Sequence, residues 1–313
     1  SILFSYVVVR IGSFQLNIVR LTLATAVLGS LALLLSGTGW LRTASMHDLR
    51  LLALSGWIGL TLGDWAYFHS LGMLGPRLAT LLVTLTPPMT AVLGLVLLHE
   101  HPGALGVAGM ALTLGGVAWV VLERPAVVEP RGHRLRGTFL GVLGCLGQAI
   151  GYVLSKAGMA GGINPLQASC VRMAAGTAAV WLVALAVRRG RRAGFGRAAG
   201  RRAGPRAGRL IERAGRDFGP GVEPGFGFRQ VAADRRVLTA TLVATALGPI
   251  TGIWLSLVAV RNTQAGIAST ILAMVPVFVL PAVAWVNKER LSPRSVLGAV
   301  LAVAGVAVLF WRE

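Results

Sequence analysis

Acidic residues are scarce in this sequence, and cysteine is nearly absent. The 313 residues include 11 Asp and Glu, against 30 Lys and Arg, and two cysteines. Cys145 and Cys170 both fall inside apolar runs, without the spacing of a zinc site or a disulfide framework. Charged residues make up 13% of the chain and hydrophobic residues 55%, with a mean hydropathy of +0.71. This composition excludes an ordinary soluble domain.

Motifs for catalysis are missing as well. We find no cluster of metal ligands, no phosphate-binding loop of the Gly-Lys-Ser/Thr type, and no Ser/His/Asp set that helical spacing would bring together. We therefore expect no enzymatic activity, no ATP hydrolysis, no cofactor and no metal site.

Long apolar runs are abundant. They cover roughly residues 15–36, 49–72, 78–98, 103–122, 137–158, 166–187, 237–260, 265–286 and 295–311, after a shorter run at 1–9. A helix needs roughly 20 apolar residues to cross a bilayer, and these runs lack the two-residue alternation of a barrel strand. The sequence predicts an all-α integral membrane protein of about ten transmembrane helices, the first truncated. We expect a multi-pass protein of a plasma membrane, such as a bacterial inner membrane.

The positive charge is concentrated in one insert. Residues 188–236 contain 14 Arg against four acidic residues, together with many Gly and few aromatic residues. Such a composition favours a flexible loop at the membrane surface over a folded nucleic-acid-binding module. We therefore expect a lipid bilayer, and no nucleic acid, as a partner.

An internal repeat organises the chain. With a shift of 189 residues, the sequence aligns with itself without a gap. The matched pairs include Gly59 with Gly248, Gly63 with Gly252, Trp65 with Trp254, Pro87 with Pro276, and Glu100 with Glu289. The predicted domains are a five-helix repeat at 1–123, a linker at 124–136, and a second five-helix repeat at 137–311 that holds the 188–236 insert. An odd number of crossings inverts the second repeat, which is a common plan of secondary transporters.

Earlier helices repeat more loosely. Gln15–Arg20 resembles Gln167–Arg172, which matches Arg20 with Arg172 near the starts of their helices. We expect both arginines to extend to the membrane surface or to bind lipid headgroups. Gly-rich stretches at 106–116 and 141–151 predict close helix crossings, because small residues let backbones approach each other.

The segments around these matches resemble the drug/metabolite transporter superfamily, in particular its EamA-type ten-helix members. They run from Gly63-Asp-Trp-Ala-Tyr through Thr86-Pro-Pro to His99-Glu-His-Pro, and from Gly252-Ile-Trp-Leu-Ser through Val275-Pro to Lys288-Glu-Arg-Leu-Ser-Pro. The resemblance covers nearly the whole chain, although the insert is longer than the usual connection. It implies transport of small metabolites without ATP, through a cavity between the two halves.

One carboxylate, Asp64, lies well inside an apolar run. An ionisable group at membrane depth costs at least about 2.5 kcal/mol, so it usually faces a cavity or a partner. Asp64 is a candidate for proton coupling or for capture of a cationic substrate, with pairing to a neighbouring His or Arg as the alternative. Its repeat mate is Ile253. The other cavity candidates are aromatic or neutral polar residues: Trp65, Tyr67, Thr80, Thr84, Gln148, Tyr152, Trp254, Ser256, Ser269 and Thr270.

Two repeat-related pairs are candidates for helix kinks or gating. Pro87 and Pro276 interrupt helices at matching positions, which marks either a transport site or a static kink. Glu100 and Glu289 each end a helix, where the dipole of the following helix would stabilise them, so a structural role is the alternative to gating.

Taken together, these features predict a secondary transporter that moves a small metabolite or drug-like molecule by alternating access, with protons as a candidate coupling ion. The alternatives are a membrane-embedded enzyme and a lipid-binding scaffold without transport. Substrate identity and oligomeric state are not encoded in any motif of the sequence.

Overall fold

The computed structural model describes residues 13–123, 134–192, 231, 234–274, 277 and 292–310. Twelve α-helices are used below. They are α1 Ser13–Ser36, α2 Trp40–Thr43, α3 Met46–Ser55, α4 Asp64–Val83, α5 Thr86–Leu98, α6 Ala104–Glu123, α7 Arg134–Gly158, α8 Pro165–Arg192, α9 Arg235–Thr245, α10 Ile253–Asn262, α11 Ala265–Leu272 and α12 Pro293–Phe310.

The described elements are all helical, which confirms the predicted fold class. Six stretches are long and apolar enough to cross a membrane: Phe14–Ser36, Leu78–Leu98, Ala104–Leu122, Leu135–Gly158, Pro165–Ala186 and Val237–Asn262. A shorter apolar helix covers Val296–Leu309. The chain is thus a multi-pass membrane protein, and the count of ten helices stays a prediction.

Two π-helical segments interrupt the bundle at related positions. Gly56–Gly63 joins α3 to α4, and Ala246–Gly252 joins α9 to α10. With the repeat shift of 189 residues, the ends of the two segments coincide, so Asp64 and Ile253 each begin the following α-helix. π-Helices are rare and often occur at functional sites, which directs attention to this level of the bundle.

Helix breaks also fall at matching positions. α4 ends at Val83 and α5 begins at Thr86, with Thr84 and Leu85 in a turn between them. In the second half, α11 ends at Leu272 and is followed by a turn at 273–274. Pro87 lies in the first turn of α5, where its missing N–H costs no helical hydrogen bond. Pro276 lies outside the described residues.

Glycines allow the closest helix crossings, as the Gly-rich stretches predict. A Cβ on Gly116 would lie 2.9 Å from the Cα of Ala302, where α6 crosses α12. A Cβ on Gly147 would lie 2.8 Å from the Cα of Gly63, where α7 crosses the first π-helical segment. These crossings bring α7 backbone directly against the segment that precedes Asp64.

Candidate functional site

A cavity of about 130 Å³ lies inside the bundle beside the two π-helical segments. From the first predicted half it is lined by Arg20, Leu60 and Asp64. From the second it is lined by Gln148, Tyr152, Arg172, Gly248, Pro249, Ile253 and Ser256. Residues from both predicted halves therefore line this cavity.

A buried network holds Asp64 on one side of the cavity. The Arg20 guanidinium forms an ion pair with Asp64 and donates to its Oδ2, and Gln148 Nε2 donates to Oδ1 at 2.5 Å. Arg20 and Asp64 are each 6% exposed. Both carboxylate oxygens thus have a donor, and the charge of Asp64 has a counterion, which a buried charge requires.

The network extends into the backbone of the first π-helical segment. Arg20 Nη2 also donates to Asn17 Oδ1 at 3.0 Å, and Asn17 Nδ2 donates to the carbonyl oxygen of Leu60 at 3.1 Å. Arg20 further lies over the ring of Phe68, 4.9 Å from its centroid. These contacts connect α1 to the π-helical segment and fix the direction of the Arg20 side chain.

Arg172 lies on the other side of the cavity and is 1% exposed. Its guanidinium lies over the ring of Tyr152, with 5.6 Å between the Cζ atom and the ring centroid. Two glycines leave room for it, because a Cβ on Gly59 or Gly151 would approach Arg172 Nη2 to 2.9 or 2.8 Å. Arg20 and Arg172 both face the interior of the bundle, so the prediction that they extend to the membrane surface is wrong. Inside the bundle, Arg20 is stabilised by Asp64 and Asn17, and Arg172 fits in the space beside Gly59 and Gly151.

Four of the predicted cavity residues line this cavity, namely Asp64, Gln148, Tyr152 and Ser256. Ser256 Oγ donates to the carbonyl oxygen of Ile253 at 2.7 Å, within its own helix. The hydroxyls of three further candidates also donate to backbone carbonyls three or four residues earlier in the chain, as Ser and Thr often do in membrane helices and at their ends. These are Thr84 to Leu81 at 2.6 Å, Ser269 to Gly266 at 2.9 Å, and Thr270 to Gly266 at 2.8 Å.

The remaining aromatic candidates lie elsewhere in the bundle. Trp65 packs against the apolar cluster formed by α1 and α8, and Trp254 is 37% exposed. Tyr67 contacts Phe68, with 5.6 Å between ring centroids, and forms a side-chain hydrogen bond with Thr80. None of these four candidates is among the residues that line the cavity.

A second charged pair lies where α5, α7 and α11 meet. Lys156 Nζ is 2.5 Å from Glu100 Oε1 and also donates to the carbonyl oxygen of Thr263. Glu100 Oε2 accepts from the backbone N–H of Ala265 at 2.7 Å. The carboxylate therefore caps the N-terminus of α11. The sequence predicted a position beside α6, the helix that follows it in the chain. Glu289, its repeat mate, lies outside the described residues.

Sequence reasoning missed the cavity roles of Arg20, Arg172 and Ile253. An arginine near the start of an apolar run usually extends to the surface. Because we expected this of Arg20 and Arg172, we did not consider them as cavity residues. The repeat alignment contained the useful signal, because it matches the arginines with each other and Asp64 with an apolar residue. Among the described residues, no group of three or more His, Cys, Asp or Glu side chains is placed to hold a metal ion.

Comparison with known proteins gives one family and a fold. The model of the EamA-like transporter family matches residues 1–122 and 225–311. No curated protein matches the chain. Among solved structures, twenty chains match. One of them, a crystal structure of a protein, has a TM-score of 0.69 and 16% sequence identity, and the match covers 98% of this chain and 90% of the other. That likeness concerns the fold.

Proposed function

Because this chain belongs to the EamA-like transporter family, we propose that it is a secondary transporter whose substrate site is the cavity between Arg20, Asp64 and Arg172. A small molecule binds there and is released on the other side of the membrane as one half moves against the other. No ATP-binding motif is needed for such a mechanism, since the driving force is the gradient of the substrate or of a coupled ion.

One observation carries this proposal. Three ionisable side chains, each no more than 6% exposed, line an interior cavity to which both predicted halves contribute. Ionisable residues inside a membrane protein are expensive and usually mark a substrate or ion pathway. A lipid-binding scaffold would gain nothing from burying them, since apolar side chains of similar volume pack at least as well.

The contacts of Asp64 define its role in this mechanism. Arg20 and Gln148 each donate to one oxygen of Asp64, so a proton or a cationic substrate that binds the carboxylate competes with these donors. We propose that the ion pair between Arg20 and Asp64 opens and closes during the transport cycle, with proton uptake at Asp64 as the candidate coupling step.

Transport by the purified protein in proteoliposomes tests this proposal. We would measure flux of a labelled panel of small anions, cations and neutral metabolites, with and without a pH gradient, for the wild type and Asp64→Asn. Asp48→Asn is the matched control, because Asp48 is also a buried acid but lies on α3, outside the cavity lining.

We expect at least one compound to move in the wild type and in Asp48→Asn, with a strong loss in Asp64→Asn. Loss of the response to the pH gradient only in Asp64→Asn would support coupling at Asp64. Absence of flux for the whole panel, with folded protein in the vesicles, would favour the scaffold over the transporter.

A further inference from the structure

Arg172 is a buried cation that forms no ion pair with any residue the structure describes. Its Nε and Nη1 atoms are inaccessible to solvent and have no hydrogen-bond partner among the described residues. In the same part of the chain, the ion pairs are those of Arg20 with Asp64, His47 with Asp48, and Lys156 with Glu100. A buried guanidinium with unsatisfied donors is costly, so an external group that satisfies it would bind favourably.

The surroundings hold this guanidinium at the edge of the cavity. Tyr152 lies under it, and the bare backbones of Gly59 and Gly151 lie beside its Nη2 atom. The side chain packs against these neighbours and lines the cavity, and its two unpartnered nitrogens are covered, so a ligand reaches them when the guanidinium turns toward it.

The charges of the cavity lining are unequal. It contains two guanidinium groups and one carboxylate, and that carboxylate is already paired with Arg20. At the position of the second half that corresponds to Asp64, the chain has Ile253, which also lines the cavity. The positive charge of Arg172 is thus left for a mobile anion.

We propose that Arg172 binds the carboxylate of the transported substrate, which makes this a carrier of small organic monocarboxylates. This inference rests on the proposed transport function. A guanidinium presents paired N–H groups that match a carboxylate, and the apolar side chains of Leu60, Pro249 and Ile253 can contact a short hydrocarbon chain. The cavity of about 130 Å³ is somewhat smaller than one of about 150 Å³ that accommodates benzene, which limits the substrate to a small molecule.

Binding to the full chain in detergent tests the assignment. The probes are carboxylates of two to five carbons, with butyrate as the reference. Butyramide and butylamine have the same chain without the negative charge, and inorganic phosphate is a different anion. Affinity is measured by equilibrium dialysis and, independently, by the ligand-induced shift in unfolding temperature. We expect a carboxylate to bind the wild type at least about tenfold more tightly than its amide or amine, since a charged hydrogen-bonded pair is lost.

Three variants connect this binding to Arg172. Arg172→Gln should lower carboxylate affinity at least about tenfold. Ile253→Asp and Ile253→Asn remove the same apolar contact, and only the first adds a carboxylate that neutralises Arg172, so Ile253→Asp should bind a carboxylate at least about tenfold more weakly than Ile253→Asn. Ile253→Asp should also raise the unfolding temperature of the unliganded protein above that of Ile253→Asn. If Arg172→Gln does not fold, the Ile253 pair still decides the question.

Several results would overturn the assignment. They are carboxylate affinity unchanged in Arg172→Gln and Ile253→Asp, no binding by any carboxylate of the series, tighter binding of butylamine, or preference for phosphate. Flux in proteoliposomes separates this inference from the proposed function. Transport of a cation or a neutral compound that depends on Asp64 would uphold the transporter and reject the carboxylate site. Carboxylate binding that depends on Arg172 but occurs without flux would uphold the carboxylate site and reject the transporter.

Discussion

Arg20 and Arg172 occupy matched positions of the predicted repeat, but their surroundings differ. Arg20 has Asp64 as a counterion and Asn17 as a further acceptor, whereas Arg172 has a tyrosine ring and two glycines. The helices that carry them, α1 and α8, pack against each other. In the predicted repeat, Asp64 corresponds to Ile253, so the carboxylate that pairs with Arg20 has no acidic counterpart at the matched position. We therefore call Arg20 the closed arginine, since it has a carboxylate partner, and Arg172 the open arginine, since its Nε and Nη1 atoms have no partner among the described residues.

Making the two halves alike should have the largest effect. Asp64→Ile copies the matched residue of the second predicted half, Ile253, into the first and removes the carboxylate that pairs with the buried Arg20. We expect the free energy of unfolding to fall by about 3 to 5 kcal/mol, the usual cost of breaking a buried ion pair. Thermal or denaturant unfolding in detergent measures this loss.

The double variant Arg20→Met with Asp64→Ile is the control, since it removes both charges. Much of the lost stability should return, and the coupling energy of the double-mutant cycle reports the pair itself. A loss below about 0.5 kcal/mol in Asp64→Ile would mean that Arg20 finds another partner. The contrast between the surroundings of Arg20 and Arg172 would then have little effect on stability.

Crowding the open arginine should have the next largest effect. Gly151→Ala places a Cβ 2.8 Å from Arg172 Nη2 and 3.2 Å from the Cα of Gly59. We expect a loss of about 1 to 3 kcal/mol in stability, as for other overpacked sites, together with weaker carboxylate binding. Gly72→Ala on α4 is the matched control, because its Cβ would meet nothing within 4 Å. Equal behaviour of the two variants would show that the guanidinium is free to move.

A charged pair at helix ends should matter less than one in the centre. Glu100→Gln removes the charge that faces Lys156 but keeps an oxygen that can accept from Ala265 N. We expect a loss of about 1 to 2 kcal/mol in the free energy of unfolding, because a charged hydrogen bond and the interaction with the dipole of α11 become weaker. Lys156→Gln should cost a similar amount. A loss as large as that of Asp64→Ile would contradict this ranking.

The smallest effect should come from a predicted site residue that faces outward. Trp254 is the repeat mate of Trp65, is 37% exposed, and is absent from the cavity lining. We expect Trp254→Phe to leave carboxylate affinity and flux within about twofold of the wild type. A change as large as that of Arg172→Gln, measured by the same dialysis, would assign Trp254 to the substrate pathway.

The sequence was informative where one physical pattern dominates. Apolar runs long enough to cross a bilayer predict the helices, and glycine-rich stretches predict the crossings near Gly116 and Gly147, because both depend on local composition. Asp64 was conspicuous because a carboxylate inside an apolar run is rare. Pairing with a neighbouring His or Arg was one alternative predicted for Asp64, and the structure pairs it with Arg20.

The rest depended on contacts between distant parts of the chain. Glu100 bonds Ala265, 165 residues away, so the helix that it stabilises could not be inferred from its neighbours. The direction of Arg172 depends on glycines of the first π-helical segment and of α7, which the sequence does not connect to it. The π-helical segments themselves have no distinct composition, since Gly56–Gly63 lacks proline while Ala246–Gly252 contains Pro249.

The π-helical segments have a geometric consequence for the side chains that follow them. A π-helix closes its hydrogen bonds over five residues where an α-helix uses four, so it differs from the regular helix by one residue of winding. One residue corresponds to about 100° around a helix axis. Rewinding either segment into an α-helix would therefore turn the first side chain after it, Asp64 in one half and Ile253 in the other, by about a quarter of a circle relative to the preceding helix. Rewinding of the first segment would therefore change the direction of Asp64, the partner of Arg20. Rewinding of the second would change the direction of Ile253, which lines the cavity together with Arg172.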